Sequence, residues 1–248
     1  MLSLERQGPT SVLRMAHGKA SAFDLEFVAA LEGALGEFER SDARALVVTG
    51  SGSIFSAGVD LVRLVRGGPE YVAQFLPALE SCLARFLRCE RPVVAAINGH
   101  AIAGGCVLAC AADRRVLARG KATLGAPELK VGVPFPPSAL EALRLVAPPP
   151  LLSQMALDGR LLGADEALAL GLVDELVEPQ QLESRALALA ADLAAIPARS
   201  FAHTKHLLRY AALASIDRSA RDPKLLAAWS SPEALAAVGD YVARTLKK

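Results

Sequence analysis

Val93-Val94-Ala95-Ala96-Ile97-Asn98-Gly99-His100-Ala101-Ile102-Ala103-Gly104-Gly105-Cys106 is the stretch whose reading decides the fold. Its first five residues form a short apolar run that reads as a buried strand. A glycine turn follows, and the apolar stretch from Gly105 to Ala112 reads as a helix. The same order occurs upstream, where Leu46-Val47-Val48-Thr49 leads to Ile54-Phe55-Ser56-Ala57-Gly58-Val59-Asp60-Leu61. A strand that turns sharply into a helix leaves backbone N–H groups unpaired at the helix start, where the peptide dipoles add positive potential. Two such turns facing each other make a two-donor cradle for one anionic oxygen. Ala57 and Gly104 are small enough for a ligand oxygen to reach the backbone, so their N–H groups are the candidate donors. Either turn alone would read as a tight loop; the pair points to chemistry.

The 248 residues suffice for a sizeable core without disulfide or metal staples. Although 52% of them are hydrophobic, the longest apolar candidate, Ala101 to Ala112, contains two glycines and ends at Asp113. It reads as a buried helix, and no membrane span is expected. A net charge of +1, no basic block and 5% aromatic residues give no support for nucleic-acid binding. Cys82, Cys89, Cys106 and Cys110 lie in apolar helical stretches without CxxC spacing, which suits core thiols in a reduced compartment. Met1-Leu2-Ser3-Leu4-Glu5-Arg6 has neither a signal-peptide nor a transit-peptide profile, so a cytoplasmic location is expected. His203 and His206 stand three apart on a helix, but no carboxylate or Cys completes a ligand set, and no metal is expected.

Strands and helices alternate through the first half. Ser11 to Met15 reads as a strand, and Asp24 opens a helix with Phe27, Leu31, Leu35 and Phe38 along one stripe. Ala45 to Thr49 is a strand, Pro69 to about Cys89 a helix that Pro77 should kink or divide, and Arg114 to Ala118 another strand. Beyond Pro134-Phe135-Pro136-Pro137 the chain becomes mainly helical. Ser138 and Glu141 have capping-box spacing. Helices are expected over 148–158, 165–170, 180–195, 199–215 and 232–246, with a short strand at 173–177. The strand–turn–helix units recur at roughly fifty-residue spacing, which suggests a spiral of similar layers.

The two turns, with Ala126-Pro127-Glu128-Leu129-Lys130-Val131-Gly132-Val133, Gly171-Leu172-Val173-Asp174 and Phe201-Ala202-His203-Thr204-Lys205, resemble the enoyl-CoA hydratase/isomerase (crotonase) family. The resemblance runs through essentially the whole chain, and its first three motifs together are specific. It implies an α/β fold, a spiral ββα core over residues 1–195 with a C-terminal helical trimerisation region over 196–248. It also implies an acyl-CoA thioester held by the two N–H donors, with coenzyme A as part of the substrate and no further cofactor. The assembly it implies is a homotrimer or a dimer of trimers. Lys19 and Lys205 are candidate contacts for coenzyme A phosphates. Phe55, Val59 and Gly105 belong to the binding segments, and Phe135 to an apolar wall for the acyl chain.

A hydratase of that family uses two glutamates. The first maps to Val107, which cannot position water; the second maps to Glu128, in an apolar neighbourhood that should raise its pKa. A further acid used by some relatives, eight residues beyond the second glutamate, maps to Pro136. One carboxylate suffices to move a proton between two carbons of an enolate, as a Δ3-Δ2 enoyl-CoA isomerase does. Glu128, Ala57 and Gly104 are thus the candidate catalytic groups. An atypical hydratase, a generic family enzyme or a non-catalytic acyl-CoA binder stay open as alternatives.

Overall fold

The computed structural model describes residues 2–219 and 222–245. The chain opens with the antiparallel pair β1 (Leu2–Gln7) and β2 (Thr10–Met15), then α1 (Leu25–Arg40). Asp24 caps α1, its carboxylate accepting the Phe27 N–H at 2.7 Å. Three ββα units follow: β3 (Ala45–Thr49), β4 (Ile54–Ser56) and α2 (Leu61–Arg88); β5 (Val93–Ile97), β6 (His100–Ile102) and α3 (Gly104–Ala111); β7 (Arg114–Ala118), β8 (Thr123–Gly125) and α4 (Glu128–Val131). The remainder is α5 (Pro137–Arg144), α6 (Pro149–Asp158), β9 (Leu161–Gly163), α7 (Ala164–Ala169), β10 (Glu175–Val177), α8 (Leu182–Ala195), α9 (Ala198–Ser219), α10 (Pro223–Trp229) and α11 (Pro232–Thr245).

The first strand of each unit enters one sheet, ordered β1-β2-β3-β5-β7-β10, and the second enters another, ordered β4-β6-β8-β9. Each unit therefore adds one layer to a coil whose strands run parallel from β2 through β10 and from β4 through β8. All five residues of β3 and of β5 are buried, as parallel strands covered on both faces require. Val47, Val94, Ala96 and Val116 face one way, onto the alanine stripe Ala186, Ala190 and Ala194 of α8. Leu46, Val48, Val93, Ala95 and Ile97 face the other, into the main core with Phe27, Leu31 and Leu35 of α1.

Several expectations are corrected. α2 begins at Leu61 rather than Pro69, because Asp60 caps it through the Arg63 N–H at 2.9 Å. Its break falls at Gly68, where φ is +59°, whereas Pro77 does not divide the helix, whose backbone stays helical through it. The Ser138–Glu141 capping box does not form. The Ser138 backbone N–H and hydroxyl both bond to the Glu80 carboxylate of α2, and Glu141 pairs with Arg144 at 3.3 Å. The roughly fifty-residue spacing holds between β3 and β5 only, since α3 is far shorter than α2.

α9 is tied back to the core by a buried trio of charges. Asp113, at the start of β7, accepts from Lys205 Nζ at 2.7 Å and Arg209 Nη2 at 2.9 Å, and also holds the Val93 N–H at 2.8 Å. α10 and α11 then return over the front of α2 and over α4. Trp229, Val238 and Val242 pack there with Leu64, Val72, Leu76, Val131 and Val133. The C-terminal segment of the chain thus covers its own interior.

Candidate active site

The two glycine turns meet. Gly58 lies at φ +82°, and a Cβ there would stand 2.6 Å from Ala103 Cβ, 2.8 Å from the Ile102 carbonyl and 3.0 Å from Gly104 N. Only glycine permits both that backbone conformation and that approach. Ala103 is held at φ +51° by its N–H on the Gly125 carbonyl (2.8 Å) and by its own carbonyl on the Val107 N–H (3.0 Å). This sparsely populated conformation aims the Gly104 N–H, first of α3, out of the helix with no partner among the described residues.

The other donor differs from the one expected. Ala57 is not free: its N–H donates to the Ala20 carbonyl at 3.0 Å. Phe23 bridges the next residues, donating to the Gly58 carbonyl at 2.8 Å and accepting from the Asp60 N–H at 2.9 Å. By the alternation of a parallel bridge, Val59 between them turns its own N–H to the opposite side. It has no partner among the described residues, and Val59 lines the cavity that Gly104 also lines. The open donor pair is therefore Val59 and Gly104. The missed signal was local: a glycine at positive φ reverses the chain, so the residue after it faces the ligand.

The cavity measures about 350 Å³. Ala20, Ala22, Ile102 and Ala103, close in sequence to the donors or their partners, line it, with the apolar groups of Leu79, Leu83, Val133 and Ala139 and the rings of Trp229 and Tyr241. Glu128, first residue of α4, stands on its wall and is 7% exposed. Its Oε2 has no hydrogen-bond partner among the described residues. Burial raises its pKa to about 7, only partly opposed by its own backbone N–H. A carboxylate so poised accepts and returns a proton near neutral pH. Asp60 is the other carboxylate on the wall, and one of its oxygens is engaged in capping α2.

The other candidate positions divide. Lys19 is exposed on the turn before Ala20, without a partner among the described residues. Lys205 is not available to a phosphate: its ammonium is buried on Asp113 and the Arg91 carbonyl (2.9 Å), and desolvation lowers its pKa. Phe55 is fully buried in the core, and Phe135 packs against that core rather than on the cavity wall, which Val133 and Pro136 form instead. Gly105 is a packing glycine, since a Cβ there would lie 2.3 Å from the Ser56 carbonyl. Val107 is fully buried among apolar neighbours.

Known proteins resemble this chain in sequence and fold. The family model described as enoyl-CoA hydratase/isomerase matches residues 7–236. Carnitinyl-CoA dehydratase of Salmonella paratyphi A is 33% identical over 211 residues, covering 84% of this chain and 80% of that protein. Among solved structures, the apo enoyl-CoA isomerase of Mycobacterium tuberculosis superposes with a TM-score of 0.84 at 32% identity, over 92% of this chain and 97% of the other. Human mitochondrial Δ3-Δ2-enoyl-CoA isomerase superposes with a TM-score of 0.94 at 26% identity, over 99% and 98%. With its cradle, the buried Glu128 carboxylate on the cavity wall and these likenesses, the chain belongs to the enoyl-CoA hydratase/isomerase family of acyl-CoA enzymes.

Proposed function

We propose that this chain is a Δ3-Δ2 enoyl-CoA isomerase. The observation that carries the reading is Glu128, a buried carboxylate with one unpaired oxygen and a pKa of about 7 on the same cavity as two open N–H donors. Glu128 removes a proton from C2 of a 3-enoyl thioester. The C–H electron pair becomes the C1–C2 π bond, and the negative charge moves to the thioester oxygen between the N–H groups of Val59 and Gly104. The C3–C4 π electrons then take the same proton from Glu128 to form the new C4–H bond, the C1–C2 π pair shifts to C2–C3, and the thioester carbonyl re-forms. Neither water nor a second acid enters the balance.

Hydration, by contrast, needs a group to activate water. Val107 has no such capacity, and an engaged Asp60 oxygen leaves Glu128 as the buried acid on the cavity wall. The deciding experiment incubates the protein and its Glu128→Gln variant with a 3-enoyl-CoA in deuterated water. The wild type should yield the 2-enoyl product and exchange at C2, and the variant should still bind but do neither. Binding by the wild type without exchange would make it a non-catalytic binder. Rapid hydration of crotonyl-CoA would make it a hydratase.

Two assignments accompany this reading. Lys19, exposed beside the cavity-lining Ala20, is the basic residue offered to the coenzyme A phosphates. The outer face of α9, where Leu207, Leu208 and Tyr210 are 60%, 75% and 62% exposed, is the surface offered to neighbouring subunits of a trimer. Light scattering on wild type and Leu208→Glu tests the second.

A further inference from the structure

We propose that Glu80 and Ser138 close the far end of the acyl cavity and thereby set an upper limit on acyl-chain length. The proposal rests on reading this cavity as the acyl-CoA site. Leu79 and Leu83 of α2 and Pro136 and Ala139 around the start of α5 line the cavity with apolar groups, which suit the tail of a thioester. Glu80, the residue after Leu79, and Ser138, the residue before Ala139, face each other across the seam between α2 and α5. The Glu80 carboxylate accepts the Ser138 N–H at 3.3 Å and its hydroxyl. Neither residue lines the acyl cavity.

Glu80 itself lines a second cavity of about 400 Å³, between α2 and the α9–α10 segment, with Leu76, Ala84, Arg88, Asp222 and Leu226. Glu80 thus stands between Leu79 on the acyl cavity and the second cavity, and among the described residues its bond to Ser138 is the polar link between α2 and α5. Ser138 is fully buried, and Glu80 is largely so, its pKa raised by desolvation. Apolar residues on the two helices would have held the seam without that cost. A hydrogen-bonded pair gives a fixed separation of α2 and α5, and so a fixed end to the cavity.

The test uses binding, not turnover. Trp229 is the single tryptophan and lines the acyl cavity, so its emission reports entry of a chain. Saturated acyl-CoAs from butanoyl to hexadecanoyl, which have no C3–C4 double bond to move, are titrated into wild type, Glu80→Gln, Glu80→Ala and Glu80→Asp. Wild type and Glu80→Gln, whose amide still reaches Ser138, should bind a medium chain more tightly than hexadecanoyl-CoA by about tenfold or more. Glu80→Ala, and Glu80→Asp with its shorter reach, should bring the two within about twofold by tightening the longer ligand. Equal binding of both chains by the wild type overturns the proposal, as does an unchanged ratio in either folded variant. An absence of isomerase activity alongside the expected binding pattern counts against the isomerase reading alone.

Discussion

Gly58 and Gly104 touch at the one point where a side chain on the first would cover the amide of the second, a Cβ on Gly58 lying 3.0 Å from Gly104 N. The cradle is thus a contact between two turns separated by the whole of α2, and each turn is shaped to leave the other's donor open.

Substituting Gly58 by Ala should disable this cradle. The new methyl meets Ala103 Cβ and the Ile102 carbonyl below 3.0 Å, and φ +82° is strained for alanine. Loss of one donor costs on the order of 10²–10³ in rate. Single-turnover isomerisation should fall by at least that factor, with a lower melting temperature. An active, undiminished Gly58→Ala enzyme would remove the cradle from the mechanism.

The rate should depend on pH through Glu128. Its pKa of about 7 makes the base protonated in acid, so kcat/KM should rise with pH through about 7 and level off above it. A profile already flat from pH 5 upward would show that Glu128 is not the proton acceptor.

The same burial costs stability, with a definite sign. A carboxyl whose folded pKa is raised holds its proton while the unfolded chain releases its own, so the folded state loses stability as pH rises from about 4.5 to about 7. The shift corresponds to about 3 kcal/mol at most. Glu128→Gln should therefore be more stable than wild type at pH 8, with the difference vanishing near pH 4, as urea unfolding at the two pH values would measure. Equal stability at pH 8 would argue that the carboxylate is solvated.

Asp113 holds Lys205, Arg209 and the Val93 N–H together. Asp113→Asn leaves two buried cations facing a neutral amide, which should cost about 3–5 kcal/mol. Because α9 carries both cations, its amides should lose hydrogen-exchange protection before those of β3 and β5. Uniform loss across the chain would show that α9 does not open as a unit.

Residues adjacent in sequence largely determined the units of this fold. Ala45–Thr49 and Val93–Ile97 are strands at the boundaries their apolar runs imply, because a parallel strand buried on both faces reads as a nearly continuous apolar run; Arg114–Ala118 also forms where expected, though it opens on two arginines. Asp24 before a Phe27–Leu31–Leu35–Phe38 stripe likewise starts α1. Glu128 and Gly104 were legible from their motifs, and Val107 from the acid it lacks.

Other features depended on groups brought together from far apart in the chain. Ala57 carries the same small side chain that its motif favours, yet its N–H is engaged by Ala20, thirty-seven positions earlier, and Val59 is left open instead. Ser138 has the spacing of a helix cap, yet it bonds Glu80 across the seam between α2 and α5. Lys205 looks like a surface cation until Asp113 is placed under it. In each case the partner comes from a distant part of the chain, and burial makes the bond necessary, since a polar group left unmet away from water is costly. The paired glycine turns were written in the sequence; which of their amides stay empty was decided only by what folded against them.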